Sequence, residues 1–561
     1  MKRLLYSLPL LFLALFYFYP LAAILRLSFA PEGVMDWAAL RELVRTDYYV
    51  RTLWFTTWQA AVSTLLVLLL ALPGAYVFAR YQFRGKQTVQ TISTLPFVLP
   101  TIVVANAFTA LLGPNGLLNS WLMRGFGLAE PPIQLQFTIW MILLAHVFYN
   151  YSVALRIISA FWQNLGDHLP QAAQILGASP WRAFWTVTWP LLRPAILAAA
   201  VLVFIFCFTS FGVVLILGGP RFATLEVEIY QQAANLFNLP VAAALSLLQI
   251  AFTFVLLSLY TRSQANMTRP LSLHAARHTA QPVRNGRDRL IVGVNLALML
   301  LLLALPLLAL LLRSVSGEGG LTLRFYRELF VNRQGSVFFV PPGTAVFNST
   351  AFALVTMGLA VGLGLIAALM LAQRGERTAS RQTNVLALLS NFLDSLFMLP
   401  LATSAVTLGF GYIIALNKPP LNLRSSLVLV PIAHTLVALP FVIRSVLPAM
   451  RRIRPSWREA AALLGANPRQ VWRHVEWPLL RRALLVGAVF AFTISMGEFG
   501  ATLFIARPQT PTLPVAIYRF LGQPGALNYG QALAMSSLLL LVCAVGFAAI
   551  ERFRLGGEGE F

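Results

Sequence analysis

The chain has 561 residues, 58% of them hydrophobic and only 11% charged, with a mean hydropathy of +0.73. Globular domains carry about 25% charged residues, so this composition excludes a disordered chain, a fibrous protein and an ordinary soluble enzyme. Cys207 and Cys543 both lie in apolar runs, too few for a disulfide framework or a metal cluster; the net charge of +23 arises from basic residues set between hydrophobic runs, which points to membrane topology and not to nucleic acid.

A helix crosses a bilayer with about 20 apolar residues, because lipid offers no partners to backbone polar groups. Uncharged stretches of that kind run over 4–25, 52–79, 92–112, 137–155, 194–217 and 240–260, then over 289–312, 348–372, 388–416, 425–443, 483–505 and 529–550. The expected fold is an all-α polytopic membrane protein with twelve transmembrane helices. The first stretch has 22 uncharged residues, longer than the roughly 7–15 of a cleaved signal peptide, and reads as a retained span. With the N-terminus inside, the inner segments hold 26 of the 42 basic residues and the outer loops 14, with Arg156 and Arg444 at helix ends. That bias places both termini in the cytoplasm.

The second half repeats the first. Residues 171–195 read QAAQILGASPWRAFWTVTWPLLRPA and 459–483 read EAAALLGANPRQVWRHVEWPLLRRA, identical at 13 of 25 positions with an offset of 288. The offset also pairs His146 with His434, Arg156 with Arg444, Phe211-Gly212 with Phe499-Gly500 and Ile229-Tyr230 with Ile517-Tyr518. Nearer the start of each half the register drifts to 300, where Leu99-Pro100 meets Leu399-Pro400. The organisation is two tandem six-helix lobes in parallel repeat, 1–261 (core about 52–260) and 289–561 (core about 344–550). The polar, basic stretch 262–288 joins them as a cytoplasmic linker.

The repeated segment falls in the inner loop between the fourth and fifth spans of each lobe. In the second copy, Glu459 to Leu464 favour helix, Gly465 supplies a stop, and Asn467-Pro468 opens a second short helix. A mostly apolar helix held in the cytosol suggests a docking element; a helix packed on the inner ends of the spans is the alternative.

Here a resemblance becomes specific. Glu459, Ala460, Ala461, Gly465, Val475 and Pro478, with Gln171, Ala172, Ala173, Gly177, Val187 and Pro190 in the first copy, resemble the EAA loop of type I ABC importer permeases. Gln171 stands where the family prefers Glu, and Trp189 and Trp477 where Leu is usual. The resemblance implies that each loop seats on a cytoplasmic ABC ATPase subunit, one per lobe, that ATP-driven closure of the pair tips the lobes between inward- and outward-facing states, and that an extracytoplasmic solute-binding protein delivers a small-molecule or metal solute. It implies a chain in contact with membrane lipid and not with nucleic acid, in the bacterial inner membrane. The chain itself should be non-catalytic and bind no cofactor, ATP–Mg belonging to the partner subunits. Only Lys2, Lys86 and Lys418 are present, and none completes the Gly-Lys-Ser/Thr of a phosphate loop.

Candidate pathway residues are few. Glu498 reads as an intramembrane carboxylate on the eleventh span, facing either the solute path or a Ser or Thr partner on a neighbouring helix; its first-lobe counterpart is Ser210. His146 and His434 read as neutral buried histidines bonded to backbone carbonyls, and, lacking neighbouring acids, as no metal site. Asn106 and the prolines Pro96, Pro100 and Pro400 mark spans that kink or break, and Asp394 enters the ninth span near its cytoplasmic end. The stretches Leu144–Asn150, Cys207–Gly212 and Leu217–Pro220 are similar to fused two-lobe thiamine-importer permeases, while ferric-iron importer permeases share the layout; thiamine is favoured over iron. An ion-coupled secondary transporter or channel would explain the spans and Glu498 but not the duplicated loops. A membrane-embedded enzyme would need clustered acids, histidines or cysteines, and here these are scattered singly.

Overall fold

The structure, a computed structural model, describes residues 2–31, 33–165, 168–265, 281–317, 320–331, 340–381, 384–417, 419, 421–453 and 455–555. Residues 266–280 of the expected linker therefore lie outside the described residues. Eleven helices among those described are long and apolar enough to cross a membrane, or twelve if a pair bent by 92° counts as one span. In order they are Leu5–Phe29, Asp47–Arg80, Thr101–Phe126, Ile139–Leu165, Pro180–Phe208 and Leu239–Tyr260, then Gly286–Ser314, Pro342–Ala372, the bent pair Phe392–Leu401 with Ala405–Ala415, Leu429–Arg451, Pro468–Gly497 and Ala526–Arg552. These follow the twelve apolar stretches one for one, and are numbered here as the first to twelfth spans.

Four spans are broken, the third and ninth near prolines the sequence reading singled out and the fifth and eleventh where it expected one helix; the last two also start earlier than expected, at Pro180 and Pro468. The third span was expected over 92–112, but its first residues form the short helix Leu95–Val98, and the long helix starts only after Leu99 and Pro100 adopt extended backbone. A residue before proline is pushed out of the helical region, so the break falls where Pro100 sits. The ninth span breaks beyond Pro400, where the Ser404 hydroxyl accepts from the Val406 amide and starts a new helix. The fifth span, expected to run unbroken to 217, ends at Phe208; Thr209, Ser210 and Phe211 interrupt it before the short helix Gly212–Leu217. The eleventh likewise ends at Gly497, with Glu498 and Phe499 outside helical geometry before the helix Gly500–Ile505.

Three π-helical turns share one cause. Ala14–Phe18, Phe184–Thr188 and Trp472–Glu476 each end where an aromatic residue precedes a proline, at Tyr19-Pro20, Trp189-Pro190 and Trp477-Pro478. Proline donates no backbone hydrogen bond, so the ladder loses its i→i−4 link there. The aromatic amide reaches five residues back instead, Trp189 to Phe184 and Trp477 to Trp472.

The chain divides into two compact units that do not follow the repeat. One comprises Met1–Leu40, Ile229–Leu247 and Ser314–Phe561. In it the first span joins the second repeat, burying Leu13 and Tyr17 with Phe397, Leu408 and Tyr412. The Tyr17 hydroxyl lies 2.6 Å from Thr403 Oγ1 and donates to the Leu399 carbonyl at 3.3 Å. Ile24 buries with Ala242, Ala243 and Phe410 in the same unit.

The other unit comprises Arg41–Glu228 and Leu248–Arg313. There the seventh span joins the first repeat: Val292 packs with Val77 and Tyr81, and Tyr81 donates to Asp288 Oδ1 at 3.1 Å. Tyr81–Gln82 and Gln281–Pro282 pair as a parallel two-residue ladder just ahead of that span. Each repeat has thus given up its leading span to the other's packing unit.

Candidate functional site

Both copies of the repeated loop fold the same way. The helices His168–Ile175 and Pro455–Leu463 stop at Gly177 and Gly465, which take φ of 91° and 84°. Only glycine enters that region without a Cβ penalty. Ala178 then bonds back to the Ala173 carbonyl and Gly177 to Gln174, each at 3.0 Å, and Ala466 to Ala461 and Gly465 to Ala462, again at 3.0 Å. This is a Schellman motif in each copy.

The next helix starts at once. Ser179 accepts from the Arg182 amide at 3.2 Å. Asn467 and Gln470 exchange two hydrogen bonds as a capping box, at 2.9 and 2.8 Å. Pro180 and Pro468 stand at the first helical turn, where a missing N–H costs nothing.

The stop leaves aliphatic side chains in the open. Ile175 and Leu176 are 86% and 88% exposed, Leu463 and Leu464 89% and 88%. Gln171, Ala172, Glu459 and Ala460 are exposed as well, Ala173 and Ala461 half-buried. Of Val187, Pro190, Val475 and Pro478, the prolines are exposed at the start of the long helices and the valines half-buried. Two aliphatic pairs standing clear of the protein beside small alanines form matched, shallow, apolar surfaces. The sequence reading singled out the alanines and glycines and passed over these four side chains, although their place beside the glycine stop was legible.

The histidines are correctly paired by the repeat, but their partners are not the expected carbonyls. His146 Nδ1 lies 2.9 Å from Ser63 Oγ and its Nε2 2.8 Å from Ser210 Oγ. His434 Nδ1 lies 2.7 Å from Ser495 Oγ and its Nε2 2.7 Å from Thr502 Oγ1. Each imidazole is therefore a buried strut between spans, held at both nitrogens by hydroxyls. Nor is His434 without an acid: its Nε2 lies 3.3 Å from Glu498 Oε2.

Glu498 itself is not in the interior of a helix. Its carboxylate accepts from the Ala501 amide at 2.8 Å, from the Thr502 amide at 2.9 Å and from the Thr502 hydroxyl. It caps the short helix Gly500–Ile505, satisfying donors that a buried helix start would otherwise orphan. Ser210 occupies the matching break with the shorter bond to His146. The two units are alike in scaffold and unlike in charge.

Other polar groups fall into the same repeat logic. Arg156 Nη2 donates to Thr94 Oγ1 at 3.1 Å, and Arg444 Nη1 lies 3.9 Å from Asp394 Oδ2. Thr94 and Asp394 differ by 300, so the drifted register marks a true structural equivalence: each arginine ties the fourth or tenth span to the broken span beside it. Asn106 is buried on the third span.

Two carboxylates escaped the sequence reading, which placed them in an outer loop. Glu226 and Glu228 are buried on the helix Leu225–Tyr230. Gln249 donates to Glu226, and Tyr48 to Glu228 Oε2 at 2.7 Å. Among the described residues no group of three or more His, Cys, Asp or Glu is placed to hold a metal ion.

Comparison with known proteins gives these repeats a family. The family model described as the binding-protein-dependent transport system inner membrane component matches twice, over residues 68–269 and 360–554. The chain is 30% identical to the thiamine transport system permease protein of Brucella abortus, over 88% of this chain and 86% of that protein. It is 29% identical to the one from Escherichia coli over 95% and 93%, and 28% identical to the one from Haemophilus influenzae over 97% and 94%. Among solved structures, a bacterial ABC transporter involved in alginate import matches with a TM-score of 0.41 at 18% identity, over 48% of this chain and 97% of that one. With one match on each repeat, the chain belongs to the family of binding-protein-dependent transport system inner membrane components.

Proposed function

We propose that this permease carries thiamine into the cell, driven by two cytoplasmic ATPase subunits that seat on the loops 171–190 and 459–478. The observation that carries the solute is the run of thiamine permeases at 28–30% identity, matched over 86–94% of their own length. Ferric iron, second to thiamine in the sequence reading, is not the solute named for any of those three relatives.

The geometry supports the docking role. Two equivalent helices end in glycine stops and present bare aliphatic pairs, the chemistry of a surface built to be covered. On this reading the loops and both termini face the cytoplasm, as the basic residues favour. Closure of the ATPase pair moves the two loops together, and the displacement passes along the fifth and eleventh spans, which start inside them. A binding protein presents solute on the opposite side. ATP and Mg²⁺ stay on the partner subunits, and this chain holds no cofactor.

The test is uptake of labelled thiamine into proteoliposomes holding this chain with its ATPase, the binding protein being added outside. Uptake should require ATP inside the vesicles, because binding protein outside engages only the molecules whose ATPase lies within, and excess ferric iron should not compete. Uptake driven by an ion gradient without ATP, or transport of ferric iron in place of thiamine, would overturn the proposal.

A further inference from the structure

The two loops differ in how their short helix is bonded to the span that follows. In the second, Arg458 Nε donates to Glu476 Oε1 at 2.6 Å, with the side chains only 32% and 16% exposed. Arg458 stands on the helix Pro455–Leu463 and Glu476 ends the π-helical turn near the start of the eleventh span. The bond therefore joins the docking helix directly to the root of the long helix it would move. Glu459, one residue on, is exposed, so neighbouring charges divide between an inward tie and an outward face.

The first loop carries Pro170 and Thr188 at the two equivalent positions, 288 residues earlier. There a half-open pocket of about 200 Å³ is lined by Pro170, Gln174, Phe184 and Thr188 of the loop together with Arg80 and Trp162 of the second and fourth spans. One copy has an ion pair across this junction, and the other has a proline and a threonine beside an open pocket.

We propose that Arg458 and Glu476 are positioning residues for transport: a latch that makes the second docking helix and the eleventh span move as one body, while the first loop joins the same elements without a charge pair at these positions. This inference rests on the ATPase-coupling reading above. A short charge-assisted bond at a half-buried site is stronger than an open surface pair. Because it links two elements 18 residues apart, it restrains their relative motion and not only their local stability.

Two readouts separate the latch from the coupling reading. The first is amide hydrogen exchange on the purified full-length chain. In Arg458→Ala and in Glu476→Ala, exchange across 457–464 should quicken about twofold to fivefold, as loss of a pair of this class would give, while 169–176 in the same molecule stays unchanged. The second is thiamine moved per ATP hydrolysed in proteoliposomes. It should fall about fivefold or more in each single variant, the low end of ordinary coupling energies, with the ATPase still bound. The reversed pair, Arg458→Glu with Glu476→Arg, should recover most of both.

Unchanged exchange in the single variants would overturn the latch. So would altered exchange with an unchanged transport ratio, or a reversed pair as poor as the singles. Absence of ATP-dependent uptake in the unmodified chain would instead count against the coupling reading, leaving the exchange result to stand alone.

Discussion

Gly177 and Gly465 hold the left-handed turns on which the helices His168–Ile175 and Pro455–Leu463 end, and a Cβ at either would meet nothing within 4 Å. The cost of substitution is therefore backbone strain alone. Gly465→Ala should destabilise the local fold by about 1–2 kcal/mol, visible as faster amide exchange across 455–466 with little change in global melting. That glycine stop was legible, since a helix former run, Gly, then Asn-Pro is a complete punctuation mark. Glu498 was legible only as a costly charge. Its bonding to the amides three and four residues on was hidden, because uniform hydropathy across 483–505 reads as one helix and gives no sign of a second helix start. Glu498→Ala leaves two buried amides and His434 short of an acceptor and should cost about 2–4 kcal/mol. Ser210→Ala removes one neutral bond and should cost about 1 kcal/mol. Thermal unfolding of the purified chain compares them, and equal effects would contradict the capping role.

At the scale of elements, the bilayer sets which stretches cross it, and twelve crossing stretches were read in their right order though not with their right ends, whereas breaks depend on backbone chemistry. Pro100 and Pro400 announced theirs. The breaks at 209–211 and 498–499 did not, because Phe-Gly in an apolar run is a weak signal for a turn. Where a break exposes backbone, neighbouring helices come close. A Cβ on Gly409 would stand 2.8 Å from Ala501 Cα and 2.9 Å from the Ala501 carbonyl oxygen, backbone atoms that cannot swing aside. Gly362 has nothing within 4 Å. Gly409→Ala should lower the melting temperature by several degrees, about 1–3 kcal/mol of overpacking, and Gly362→Ala should not lower it. A reversed order would show that the ninth span and the helix Gly500–Ile505 do not pack as described.

At the scale of the whole chain, the repeat was visible as 13 identities in 25 positions, but the exchange of leading spans was not. Hydropathy marks a helix as membrane-crossing without marking its neighbour, and the first and seventh spans have no polar motif pointing to a partner. The packing of Leu13 and Tyr17 with the second repeat and of Val292 with the first reveals it, with the Tyr17–Thr403 and Tyr81–Asp288 bonds beside it. Halves divided within 266–280 and produced separately should each be unstable, since each compact unit draws on both; produced together they should assemble, which co-purification through a tag on one half will show. The measurement that tests the account most directly is purification of the intact chain from its native membrane, with mass spectrometry of what remains bound. An ATPase subunit should be recovered, and should be lost when Gly177 and Gly465 are both replaced by a bulky residue. Recovery of the chain with no ATPase, under conditions that keep other transport complexes whole, would contradict the coupling of these loops to ATP.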